Sequence, residues 1–276
     1  MSTVNRILVD SRFRQPDSIS ITDFRIELPE NVHLDEGVSC VVCDISLPVT
    51  WYTVEVNVND KLYIRMYQAD GTTYSDHIVK LPSRNYTREE VASRLTTLFD
   101  ELDDVPLTVG EDPFRNIIRI FLPEDSNRSF MVFTNQDLLN RCNGTWKGEF
   151  YIQSNPQSIN QMIGNSDKHM QVYSASNIFE GGQFNILPHA TLYIVSPELT
   201  TSSNIGPQGE RDILKKVLVT AGPNSLMFDK DINTDDHVDV SKRSLRSIHF
   251  RLTDVYGNTL NLHGQHWSFT LLFRHF

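Results

Sequence analysis

Along most of this 276-residue chain, apolar residues recur at every second position, and that period narrows the fold more than any other feature. A residue pattern of period two belongs to a strand with one face on a core and the other in water. Phe24, Ile26 and Leu28 alternate with polar neighbours, as do Leu62, Ile64 and Met66, and Ile248, Phe250 and Leu252. Trp267, Phe269, Leu271 and Phe273 carry the pattern almost to the C-terminus and pin the last residues into a sheet. Residues 38–45 are apolar nearly throughout, which reads as a central strand buried on both faces. Further strands are expected at 78–81, 117–122, 130–133, 191–195, 213–219 and 225–228. Short strands between turn signals make a mainly β chain, a sandwich or a barrel.

One segment breaks the period. Thr87 and Glu90 form a capping box, and Tyr86 and Val91 sit at the staple positions. Val91, Leu95, Leu98, Phe99 and Leu102 then line one helical face, so a helix is expected to lie on a sheet there. A short helix is read at 135–142, a helical turn at 158–163, and the polar stretch 165–182, ending in Gly181 and Gly182, as a surface loop.

Composition excludes several classes. With 25 basic against 35 acidic residues the chain carries a formal charge of −10, whereas a nucleic-acid binder needs a basic footprint to neutralise phosphates. No run approaches the roughly 18 apolar residues of a membrane span. No h-region of a targeting segment is readable. Three cysteines, Cys40, Cys43 and Cys142, are too few for a disulfide framework, and synthesis in a reducing cytoplasm or nucleus, without secretion, is expected.

The local constellations are weak candidates for chemistry. Cys40 and Cys43 have C-x-x-C spacing, but within a strand they point to opposite faces. His263 and His266, with His249 and His275 nearby in sequence, do not converge on strand geometry, and a metal site needs three or four convergent ligands. Asp229, Asp231, Asn233 and Asp235 match the first ligand positions of a calcium loop, but Thr234 and Val240 stand where Gly and Glu are required. An acidic turn is the plainer reading. Ile205-Gly-Pro-Gln-Gly-Glu210 lacks the phosphate-cradle signatures and reads as a turn or a partner-contacting loop. No nucleophile elbow and no H-E-x-x-H occurs, so the chain is read as a non-enzyme without cofactors.

Three groups of phrases carry a resemblance. They are Arg6-Ile-Leu-Val-Asp-Ser-Arg-Phe-Arg14 with Asp23-Phe-Arg-Ile-Glu-Leu-Pro29; Leu192-Tyr-Ile-Val-Ser-Pro197 with 204–210 and 213–217; and 248–258 through 262–270. Together they resemble the penton or minor capsid proteins of Polinton (Maverick)-type elements, adintoviruses and polinton-like viruses, which belong with the double-jelly-roll DNA viruses. The resemblance implies a virion protein with a jelly-roll β-sandwich, forming pentamers at the five-fold vertices and contacting the major capsid protein. The early run at 38–45 and the terminal run at 267–273 are then candidates for pairing with each other. The helix does not belong to a minimal jelly roll. The expected organisation is therefore a sandwich of 1–61 and 185–276 with an inserted or second α+β unit at 62–184, or alternatively two tandem β-sandwiches.

Assembly by heterologous contacts needs apolar anchors. Trp51, Tyr52, Trp146, Tyr151 and Phe184 are loop-borne aromatics that either serve as anchors or cap the core at a sheet edge. Arg6, Arg12 and Arg14 form a basic stretch that either reaches a genome or neighbouring subunit or is simply solvated. The competing functional readings are a host-attachment or carbohydrate-binding β module and, behind it, a β-sandwich glycan hydrolase.

Overall fold

The computed structural model describes residues 5–140, 155–165, 171–200, 204–207, 209–230 and 236–275. The chain forms two compact units, Met1–Trp51 with His189–Phe276, and Tyr52–Pro188.

The first unit opens with β1 (Arg6–Asp10), β2 (Asp23–His33) and β3 (Val38–Val49). In the second unit follow β4 (Lys61–Tyr67), β5 (Tyr74–Lys80), α1 (Arg88–Asp100), β6 (Thr108–Asp112), β7 (Ile117–Phe121), β8 (Ser129–Val132), α2 (Asn135–Asn140), α3 (Asn160–Ile163), β9 (Val172–Ser174) and β10 (Phe179–Glu180). The first unit then resumes with β11 (Thr191–Val195), β12 (Ile213–Leu218), β13 (Ser225–Asp229), β14 (Val238–Asp239), β15 (Ser244–Thr253) and β16 (Ser268–His275).

The strands of the first unit pair outermost with outermost. β1 pairs β16, β2 pairs β15, β3 pairs β13 and β14, and β11 pairs β12, all antiparallel. Two further pairings, β16 with β3 and β15 with β11, roll this nested hairpin into two sheets of order β1-β16-β3-β13 and β12-β11-β15-β2. That is the jelly roll, with the expected pairing of residues 38–45 and the C-terminal strand, Val42 opposite Leu271. The inner faces meet in one core. Trp267 packs edge-on to Phe24 at 5.9 Å and stacks on Phe269 at 5.0 Å, while its indole N–H donates to the Ile21 carbonyl.

A bulge explains the unbroken apolar run in β3. Cys40 and Val42 face the core, but so do Ile45, Leu47 and Val49, which have the opposite parity. Asp44 makes the switch: it sits at φ 49° where the ladder with β16 shifts register. Val41, Cys43 and Leu272 form a small buried cluster on the other face.

In the second unit β5-β4-β8-β9 and β10-β7-β6 form two antiparallel sheets. The α1 capping box is complete, with Thr87 Oγ accepting from the Glu90 N–H and the Glu90 carboxylate accepting from the Thr87 N–H. Val91, Ala92, Leu95 and Phe99 are buried against the sheet residues Ile64, Ile118 and Ile120. The stretch 165–182 is more than a loop, since β9 and β10 lie within it and add to the two sheets. Gly182 approaches Gly164 so closely that a Cβ on Gly164, itself at φ +66°, would lie 2.5 Å from the Gly182 Cα. Only glycine fits that pair of positions.

Candidate functional site

The first unit exposes two lateral edges, where the outer strands of its sheets lie side by side. On one, β1 and β2 flank an open groove of about 420 Å³. Ile7, Ile26 and Leu28 form its floor, and Arg6, Asp10 and Glu30 stand at its rim. Leu8 and Phe13 beside it are 79% and 78% exposed, large values for apolar side chains in an ordered strand and turn. Asp10 caps the following 3-10 turn (Ser11–Phe13), accepting from the Arg12 backbone N–H at 2.9 Å and from its guanidinium. That hydrogen bonding holds the Asp10 carboxyl below the usual range, against the opposing effect of burial.

On the other edge, β12 and β13 flank a second groove of about 460 Å³. Lys216, Leu218, Phe228 and Lys230 line it and are exposed. Lys215 is buried there, paired with Asp229 at 3.3 Å and donating to the Val42 carbonyl. Both edges therefore carry solvent-facing apolar side chains among charges.

The residues picked out in the sequence are distributed as follows. Trp51 is buried in the core of the first unit, edge-on to His189 at 5.8 Å. At 4% exposure it offers little surface to another chain. Phe184 is likewise buried, in the core of the second unit. Tyr52 is half-buried. Trp146 and Tyr151 lie outside the described residues. Arg6 belongs to β1 with its side chain exposed, Arg12 pairs with Asp10, and Arg14 donates to the Ser11 carbonyl. The described part of the basic stretch is thus a strand and a turn of the fold, not a free arm. Asp229 ends β13, whereas Asp231, Asn233 and Asp235 lie outside the described residues. His249 bonds Asp23 at 2.6 Å and His266 bonds Ser11 at 3.0 Å, separate partners in separate places. Burial pushes the Cys40 thiol up to about 12 and raises that of Cys43. Among the described residues no three His, Cys, Asp or Glu side chains are grouped to hold a metal ion.

No protein-family model and no curated protein matches the chain. Among solved structures it is similar to a selenomethionine-labelled mavirus penton protein. The likeness covers 99% of each chain at 8% identity, with a TM-score of 0.49.

The sequence reading missed Leu8, Leu218, Leu226, Phe228 and Phe114. The first four are exposed on edge strands, and Phe114 is 99% exposed at the turn between β6 and β7. Asp112 accepts from the backbone N–H groups of Phe114 and Arg115, which fixes that turn and holds the ring outward. One signal was available for Leu8. An edge strand buries a single parity, so the triplet Ile7-Leu8-Val9 must leave its centre or its flanks in water.

Proposed function

We propose that this chain is a structural virion protein, a penton or minor capsid subunit that works by associating with copies of itself and with the major capsid protein, without turnover. The observation that carries the reading is the nested jelly roll with apolar side chains on both exposed edges. A ring needs each subunit to set one face against a different face of the next, and the apolar β12–β13 edge supplies one half of such a contact. The penton-like phrases fall on this unit: Arg6–Asp10 is β1, Thr191–Val195 is β11, and Ser244–Thr253 and Ser268–His275 are β15 and β16. Among the described residues no helix is long and apolar enough to cross a membrane.

The test is the absolute mass of the purified chain by light scattering, followed by co-expression with a candidate major capsid protein. A mass near five times 31.7 kDa, or incorporation into shells at vertices, is the expected result. A monomer that is also left out of assembled shells overturns the proposal.

A further inference from the structure

We infer that β1 is a two-fold self-association edge, pairing antiparallel with β1 of a second copy about Leu8. The inference goes beyond the vertex reading and does not depend on it, since the contact engages β1 and leaves the β12–β13 edge to the ring.

Among the described residues β1 ends its sheet and is bonded on one side, to β16. The Phe273 N–H donates to the Asn5 carbonyl, and the Ser11 N–H donates to the Trp267 carbonyl, each at 3.0 Å. Backbone groups alternate between the two sides of a strand. The odd-numbered residues therefore face β16, and Arg6, Leu8 and Asp10 direct their N–H and C=O groups off the outer edge. The same three residues place their side chains on the outer face, because Ile7 and Val9 are buried in the core. Strand addition uses such edge groups for affinity and the alternating side chains for specificity.

The sequence then selects the incoming strand. Read outward from Leu8, Arg6-Ile-Leu-Val-Asp10 is complementary to itself when reversed. Leu8 meets Leu8, Ile7 meets Val9, and Arg6 meets Asp10 at both ends. A slip of one residue breaks the hydrogen-bond phase and mixes the faces, and a slip of two sets Leu8 against a charge. Arg6 makes no ion pair among the described residues. Asp10 is held in place by Arg12, and a carboxylate accepts from more than one cation. Shortness and charge both protect an edge, and β1 has charges at its ends, but its centre is a leucine that is 79% exposed. The groove of about 420 Å³ opens beside β1.

Directly opposed residues of a hydrogen-bonded antiparallel pair stand about 5.5 Å apart at Cα, within disulfide reach. Full-length Leu8→Cys is therefore expected to give a reducible covalent dimer under mild oxidation. Ile19→Cys, 83% exposed but off the edge, and the parental chain set the background. Both positions are exposed and lie outside the core of the first unit. In sedimentation equilibrium, Leu8→Asp and Leu8→Lys each oppose like charges at the two-fold, away from the Asp10 cap, and are expected to weaken the dimer about tenfold. An equimolar mixture of the two restores opposite charges and is expected to recover it. Cross-linking of Leu8→Cys no faster than Ile19→Cys, or a mixture no better than the single variants, overturns the inference. A parental chain of five-fold mass without the Leu8 cross-link removes this edge and leaves the vertex reading standing. A cross-linked two-fold species that never joins a shell does the reverse.

Discussion

Arg65 and Asp76 join β4 to β5 through two parallel 2.7 Å bonds, with side chains only 4% and 1% exposed. Tyr74 closes over the guanidinium at 3.7 Å. Removing one charge strands the other in a dry site, so Asp76→Ala is expected to lower stability by about 3–5 kcal/mol. Replacing both residues with apolar side chains of similar size should recover most of that loss, as urea midpoints of the three variants will report. Buried acids that ionise only at high pH give a second prediction. Burial pushes the Cys40 thiol and the Tyr63 hydroxyl each up to about 12. Between the ordinary thiol value of 9.0 and about 12 the unfolded chain has lost that proton and the folded chain keeps it. Stability is thus fully present below the ordinary value and falls as pH rises through this window. The urea midpoint should drop from about pH 8 to about pH 10.5, and Cys40→Val should flatten the slope. A slope unchanged by that substitution would remove Cys40 as a cause. The opposite facing of Cys40 and Cys43 was legible from strand geometry alone. The core positions of Trp51 and Phe184 were not, because a loop-borne aromatic looks the same whether it folds inward or outward.

Elements whose signals are local were the ones legible in the sequence. The α1 capping box is written in two residues three apart, and both of its bonds are present. Thr87→Ala is expected to cost about 1 kcal/mol, measurable as a shift in urea midpoint for the second unit. By contrast, β9 and β10 have three and two residues and few apolar positions, and exist because β8 and β7 offer edges to them. No local pattern announces such strands, so 165–182 reads as loop. The β3 bulge lies between these cases: the apolar run was visible, but the residue that switches its parity was not. Asp44 at φ 49° makes the position testable. Asp44→Gly should be neutral or slightly stabilising, whereas Asp44→Val puts a β-branched side chain in the left-handed region and should cost about 1–3 kcal/mol. Equal midpoints for the two variants would sink the bulge assignment.

At the scale of the whole chain, the nested pairing joins residues that sequence patterns cannot relate, such as Arg6 with Leu272 or Asp23 with Arg251. Alternation says that these segments are strands but not which strand each one meets. The decisive feature is that the jelly roll draws its core from both ends of the chain while the second unit has a core of its own. The chain leaves the first unit after Trp51 and re-enters it at His189, and those two rings lie 5.8 Å apart. A short bridge can therefore close the first unit. Replacing residues 52–188 with about four Gly and Ser residues adds little closure entropy, since that cost grows only with the logarithm of loop length. The shortened chain is expected to remain a cooperatively unfolding β protein, because all four nested strand pairs and the Phe24–Trp267–Phe269 cluster are retained. Circular dichroism through a urea titration will report one transition for it, matching one of two in the full chain. A shortened chain without a cooperative transition would mean that the second unit is needed to fold the first, and the jelly roll could no longer be treated as the self-sufficient body that carries an insertion.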